Sequence, residues 1–195
     1  MNAESRKASG TEIFAGVPEN VRERIARVKL LILDVDGVMT DGGLYYCGDG
    51  SVTKRFHVHD GVGIGLARRC GIRVAVITGQ DKPAVAQRMR DLHIDDYFPG
   101  FIDKRKSYET VRERCNVLPE EVAFLGDDWI DLSVMTRVGV PLAVANAQPE
   151  VADVALYVTR TPGGSGAVHE AVRLILYCKG ELDKAFAAAM ERYAS

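Results

Sequence analysis

The sequence has no surplus of positive charge, no long apolar run and no paired cysteines, and each lack removes a class of function. Twenty-five Lys and Arg stand against 27 Asp and Glu, a formal net charge of −2, whereas nucleic-acid binders usually carry a basic excess. No apolar stretch approaches the roughly 18 residues that span a bilayer. The opening MNAESRKASGTEIFAG holds no continuous hydrophobic segment of the secretory kind. Cys47, Cys70, Cys115 and Cys178 are scattered without a CxxC pair, a spacing that suits reduced thiols better than a disulfide framework or a zinc site. The expectation is a cytoplasmic protein that engages neither nucleic acid nor membrane.

What is present is an ordinary globular composition, 47% hydrophobic and 27% charged over 195 residues, enough for one domain with a sizeable core. Residues 1–16 are polar and mixed and read as a flexible N-terminus; residues 17–195 read as a single domain. PENVRERIARV predicts a short helix with Pro near its start, and KLLILDV is a continuous apolar run of the kind found in a strand covered on both faces. Two β-prone segments flanking CGDG predict a hairpin over about 43–58. From GVGIGLARRCG onward helix and strand alternate: IRVAVITG, DKPAVAQRMRDLHI, YFPGF, KRKSYETVRERCNV, EVAFLGDD, WIDLSVMTRVG, VPLAVANA, VALYVT and a closing helical segment that Gly180 interrupts. The order predicts an α/β fold, a Rossmann-like parallel sheet with helices on both faces.

In such sheets, sites lie beyond the carboxyl ends of the strands. Three predicted strands end there in polar clusters, LDVDG, ITGQ and LGDD. A lone Asp after a strand is most often a cap or turn former, but here Asp34 and Asp36 meet Asp127, Asp128 and Asp131 from a second strand. Like charges 4 Å apart repel by roughly 4 kcal/mol at an effective dielectric near 20, so the cluster calls for a cation or a held proton. An oxygen-only donor set favours Mg2+ over zinc. A cation at an acidic edge admits phosphate; one carboxylate can attack phosphorus while another donates to the leaving oxygen and later activates water. Thr78 supplies a hydroxyl for the equatorial oxygens, and Lys104 is the leading ammonium, with Lys106 and Lys82 as rivals.

DVDGVMTDG, ITG, Lys104 and GDDWID together resemble the four motifs of the haloacid dehalogenase-like phosphatases, in order, over a likeness that runs from about Pro18 to about Lys184. FHVHDGVGI, LGDDWIDLSVMTRVG and GGSGAVHEAV narrow it to the capless subgroup that acts on sugar-acid phosphates. The resemblance implies Asp34 as nucleophile and Asp36 as general acid/base. It implies Mg2+ held by the Asp34 and Asp127 side chains and the Asp36 carbonyl, with Asp128 and Asp131 behind them. Thr78 and Lys104 would hold the phosphoryl group. The 41 residues between Asp36 and Thr78 leave no room for a cap domain, so the hairpin, offering Tyr45, Val52 and Phe56 for burial, would join a homotetramer in which a neighbour helps close each site.

By the same resemblance the substrate would meet Asp36, His57, Val58, His59, Asp60, Gly61, Gly65, Gly79, Gln80, Arg88 and Lys104. Gly65, Gln80 and Ser165 stand where the subgroup has arginines, and His59 where it usually has one. A neutral side chain holds a carboxylate less well than a guanidinium. The implied reaction is hydrolysis of an eight-carbon sugar-acid 8-phosphate, a step of lipopolysaccharide precursor synthesis. The alternatives are a nine-carbon acid 9-phosphate, a receiver-like domain and a non-catalytic assembly module.

Overall fold

Strand β1 (Leu30–Leu33) is buried at all four positions, as a strand must be when helices cover both faces of its sheet. In the computed structural model, which describes residues 12–193, an antiparallel pair follows it, β2 (Tyr45–Tyr46) and β3 (Val52–Thr53). Then come β4 (Arg73–Ile77), β5 (Tyr97–Phe98), β6 (Val122–Gly126), β7 (Val140–Ala143) and β8 (Tyr157–Val158). Six strands form one parallel sheet in the order β5-β4-β1-β6-β7-β8.

The helices are α1 (Glu19–Ile25), α2 (Val58–Arg69), α3 (Pro83–Asp91), α4 (Arg105–Cys115), α5 (Leu132–Met135), α6 (Pro149–Val154), α7 (Ala167–Cys178) and α8 (Leu182–Tyr193). Alternation along β1 sorts its side chains into two cores. Leu31 and Leu33 meet Ile64 of α2, Val85 of α3 and Val172 of α7 on one face. Leu30 and Ile32 meet Tyr108 of α4, Val134 of α5 and Val151 of α6 on the other.

From β1 the chain builds outward to β4 and β5, returns to β6 on the opposite side, and continues to β7 and β8. The strand order therefore reverses beside β1, and at such a reversal the crevice beyond the carboxyl ends stays open to a ligand. Leu33 pairs with Val76 and with Leu125, so the residues that follow these three strands reach one edge together.

The parallel sheet, its two helical layers and the hairpin match the expected fold, and the helix break falls at Gly180, where φ is +69°. There the Glu181 N–H returns to the Leu176 carbonyl at 2.9 Å, the pattern that closes a helix on a left-handed residue. Five details differ. The hairpin strands are two residues each, with Tyr45 exposed and Val52 and Phe56 half-buried. Helix α2 starts at Val58 rather than Gly61, because the His57 ring Nδ1 accepts the His59 N–H at 3.3 Å and caps it. WIDLSVM is a 3-10 turn, Trp129–Asp131, followed by only four α-helical residues. The sequence reading placed no helix at α6, which a Pro at its first position allows. Of the expected flexible stretch 1–16, residues 1–11 lie outside the described residues; Glu12–Phe14 form a 3-10 turn that buries Phe14, whose ring lies 5.5 Å from that of Tyr177.

Candidate active site

Asp34 leaves β1 as its last laddered residue, its N–H bonded to the Leu125 carbonyl at 3.1 Å. Immediately afterwards the chain folds on itself: the Val35 carbonyl accepts from the N–H groups of Met39 and Thr40, each at 2.9 Å, and the Thr40 hydroxyl at 3.2 Å. Asp34 and Asp36 therefore do not share one extended face, which a continued strand would have given them. Asp34 is buried, Asp36 half-buried, and the turn turns the pair toward two environments.

Lys104 fixes the first environment. It is 0% exposed, and its Nζ donates to Asp34 Oδ1 at 2.5 Å and to Asp131 Oδ1 at 2.6 Å. Of the three lysines considered it alone converges: Lys106 is exposed, and Lys82 is the half-buried N-cap of α3. Lys104 is itself the N-cap residue of α4, where the helix dipole opposes a cation. Two carboxylates offset that cost. Burial pulls the Lys104 ammonium down, but Asp34 and Asp131 together raise it above its ordinary range.

Asp127 completes the cluster from the end of β6. One oxygen each of Asp34, Asp127 and Asp131 lies within 4.8 Å of the others. Asp131 also braces the loop, its Oδ2 accepting the N–H groups of Asp127 at 2.9 Å and Asp128 at 3.3 Å. Burial pushes Asp34 up, against the Lys104 ammonium and with the Asp131 charge. Burial, then Asp34, Asp131 and Asp128, push Asp127 up to about 8. Asp127 Oδ1 is buried without a hydrogen-bond partner. Three converging carboxylates answered by one ammonium, with an orphaned buried oxygen, make a donor set fitted to a hard divalent cation. Gly37 holds the opposite wall: its φ is +88°, and a Cβ there would come within 2.0 Å of Asp127 Oδ2.

Thr78 is buried at the end of β4, its N–H bonded to the Phe98 carbonyl at 3.0 Å and its Oγ1 accepting from the Gln80 N–H at 3.4 Å. Gly79 lies open between Ile102 and Ile130, whose nearest atoms would stand 3.9 and 4.0 Å from a Cβ there. On the other rim Arg88 reaches from α3 to the His57 carbonyl at 3.3 Å and over the Phe56 ring at 5.8 Å, and a Cβ on Gly61 would meet its guanidinium at 2.8 Å. His57, Val58, His59, Asp60 and Gly61 thus form a helix start, not a strand. Asp60 is buried and accepts the His169 N–H at 3.1 Å, with burial raising its carboxyl. Gly65 sits one to two turns further along α2, beside Arg69. Asp128 turns outward and caps Trp129 through the Trp129 N–H at 2.6 Å, so of the two residues expected behind the metal ligands only Asp131 joins the cluster.

Two residues escaped the sequence reading. Asn146 bridges the Gly37 carbonyl, at 3.3 Å, to the Gly163 N–H, at 2.6 Å, pinning the Gly37 turn; a lone Asn after a strand carries no signal for this. Lys54, at the base of the hairpin, has a fully buried side chain whose Nζ donates to Asp36 Oδ1. Its signal was available: alternation in VTKRF puts Lys54 on the same side as Phe56.

The geometry meets known proteins directly. The profile of the haloacid dehalogenase-like hydrolase family matches residues 85–171. The chain is 41% identical over 178 residues to 3-deoxy-D-manno-octulosonate 8-phosphate phosphatase of Escherichia coli, covering 91% of this chain and 95% of that protein. The crystal structure of the Yersinia pestis phosphatase of that name superposes with a TM-score of 0.82 at 42% identity, covering 84% of this chain and 89% of the other. That of Moraxella catarrhalis, in complex with magnesium, phosphate and KDO, superposes with a TM-score of 0.84 at 31% identity, covering 87% and 98%. With its motifs gathered on one sheet edge, the hairpin where a cap would stand, and this likeness over nine-tenths of its length, the chain belongs to the haloacid dehalogenase-like phosphatases, in the capless group of the 3-deoxy-D-manno-octulosonate 8-phosphate phosphatases.

Proposed function

We propose that the protein is a Mg2+-dependent phosphomonoesterase that hydrolyses 3-deoxy-D-manno-octulosonate 8-phosphate to the free sugar acid and phosphate, in the cytoplasm and as a homotetramer. The observation that carries the reading is the approach of Asp127 to Asp34 and Asp131, ligand atoms within 4.8 Å, beside a lysine with no exposure. Asp34, Asp127 and the Asp36 carbonyl would hold Mg2+, which when bound would neutralise the acidic edge and polarise a phosphoryl oxygen. Asp34 Oδ attacks phosphorus and forms an aspartyl-phosphate as the bond to the sugar oxygen breaks. Asp36 gives that oxygen its proton, then takes one from the water that attacks the aspartyl-phosphate. Thr78 and the Lys104 ammonium hold the equatorial oxygens, where charge accumulates. Asp131 keeps Lys104 and the Asp127 loop in place.

Arg88 and the start of α2 form the sugar rim. The exposed Leu44, Tyr45 and Tyr46 of the hairpin support its role in assembly, since a two-stranded ribbon with bare aromatics is poorly stable alone. A nine-carbon acid 9-phosphate is the second reading, favoured by the neutral Gly65 and Gln80, which stand where the eight-carbon group carries arginines. The test compares kcat/KM for the eight-carbon and nine-carbon acid phosphates with hexose phosphates. We expect the eight-carbon substrate to lead by at least about tenfold, and Asp34→Asn to abolish turnover of all of them. A lead for hexose phosphates overturns the substrate; turnover by Asp34→Asn overturns the nucleophile.

A further inference from the structure

The side chain of Lys54 is 0% exposed, while that of its partner Asp36 is 27% exposed. A buried ammonium is costly unless a carboxylate meets it, and Asp36 is the one anionic side chain bonded to Lys54 among the described residues. The lysine thus meets the carboxylate from the buried side, while Asp36 keeps part of its surface in solvent.

The two residues that follow Lys54 are both anchored. Phe56 forms an isolated antiparallel bridge with Thr40, and its ring packs against the core. Arg55, on the opposite side by strand alternation, donates to the Gly164 carbonyl at 3.2 Å and to Asp41 Oδ2 at 3.5 Å. The Lys54 stem is therefore held by backbone pairing and two anchored neighbours. It is not a solvated arm that happened to fold inward.

We propose that Lys54 is the positioning residue of the acid/base carboxylate: by binding Asp36 Oδ1 from the hairpin, it fixes the carboxylate with Oδ2 toward the leaving oxygen. This rests on the reading of Asp36 as the acid/base. In phosphoryl transfer to Asp34, the bond between phosphorus and the sugar oxygen breaks and the Asp36 proton passes to that oxygen, leaving Asp36 anionic. The ammonium at Oδ1 stabilises the charge as it appears and keeps its own protons throughout. In the return step the same hold leaves Oδ2 free to take a proton from water. A group so aligned needs no reorganisation at the moment of reaction. The hairpin then does more than present an outer surface, because its base is tied to the residue that protonates the product.

The test uses leaving groups of different need. An alkyl phosphate must have its oxygen protonated, whereas 4-nitrophenol leaves as the anion. The comparison is made in kcat/KM, which reports steps up to aspartyl-phosphate formation and excludes the hydrolysis shared by both substrates. For Lys54→Met we expect kcat/KM on the sugar-acid phosphate to fall about 30- to 100-fold and on 4-nitrophenyl phosphate less than about threefold, a loss at or below the lower end of what acid catalysis itself contributes, since Asp36 remains. Lys54→Arg should restore most of the loss. Lys54→Gln, with a donor but no charge, carries the same test if methionine is not accommodated, folding being checked by circular dichroism. Asp36→Asn should separate the two substrates still further. An equal loss on both substrates in the Lys54 variants, with Asp36→Asn still separating them, overturns the proposal and leaves the acid/base reading intact. Absence of separation in Asp36→Asn overturns that reading instead.

Discussion

Lys104 and Lys54 are both buried and each holds one carboxylate of the Asp34–Asp36 pair, but they stand in different balances of charge. Lys104 faces two buried carboxylates, Asp34 and Asp131, with Asp127 close by. Lys54 faces one, and that one is partly in water. The first pocket is anchored by the ends of three paired strands and carries more acid than base. The second is anchored by a two-residue hairpin strand and its base, and is balanced one to one. On the proposed mechanism the chemistry divides along the same line, with phosphorus handled at the strand-end edge and the proton at the hairpin.

Removing each lysine is the most forceful way to break this comparison. Lys104→Met leaves two buried carboxylates without their counter-charge, and breaking a buried ion pair from one side costs about 3–5 kcal/mol. We expect a loss near 3 kcal/mol in urea denaturation at pH 7.5 and a fall in kcat of at least about 10³-fold. Lys54→Met strands only a half-wet carboxylate and should cost about 1 kcal/mol. Equal losses in the two variants would mean that the pockets are energetically alike.

A smaller effect separates the backbone of the two regions. Gly37→Ala forces an alanine into φ +88° and drives its Cβ to within 2.0 Å of Asp127 Oδ2. Strain of this kind costs about 1–3 kcal/mol, and the displaced carboxylate should weaken Mg2+ binding at least about tenfold by titration calorimetry. Gly48→Ala at the hairpin turn meets nothing within 4 Å and should stay within about 0.5 kcal/mol of the parent. A silent Gly37→Ala would show that Asp127 is free to move.

The same division governs what the sequence made legible. The strand-end residues Asp34, Thr78 and Asp127 were readable because each follows a strongly apolar run, and parallel topology gathers strand ends without help from side chains. Lys104 led Lys106 and Lys82 in the sequence, but its full burial between two carboxylates had no local signal, since a lysine at a helix start has no local reason to turn inward. The rim was less legible. His57 reads as a strand residue until its ring caps α2, a choice made between two weak local preferences. Asp128 and Asp131 look equivalent in GDDWID, and only the tightness of the 3-10 turn sends Asp131 inward to Lys104 and Asp128 outward to Trp129. Alternation in VTKRF put Lys54 on the inward side with Phe56, but nothing local named Asp36, 18 residues away across a turn and a hairpin, as its partner.

The charge imbalance itself gives the last and smallest effect, and it has opposite signs in the two pockets. In the metal-free protein the raised carboxyl of Asp127, about 8 against an ordinary 3.8, means that the folded state keeps a proton which the unfolded chain has lost between about pH 4 and pH 8. Stability therefore falls as pH rises through that window. Asp127→Asn removes this loss, so in EDTA we expect the variant to be more stable than the parent by about 1 kcal/mol at pH 8.5, and the margin to shrink at pH 5.5. Some pH dependence should persist in the variant, because burial raises Asp34 in the same direction. Mg2+ should reverse the order by stabilising the parent alone. Asp36→Asn is the counterpart in the balanced pocket: it strands the Lys54 ammonium and should destabilise by about 1 kcal/mol, with or without metal. Loss of stability in both variants in EDTA would show that Asp127, too, is held by a cation of the protein, and the distinction between an acid-rich and a neutral pocket would fail.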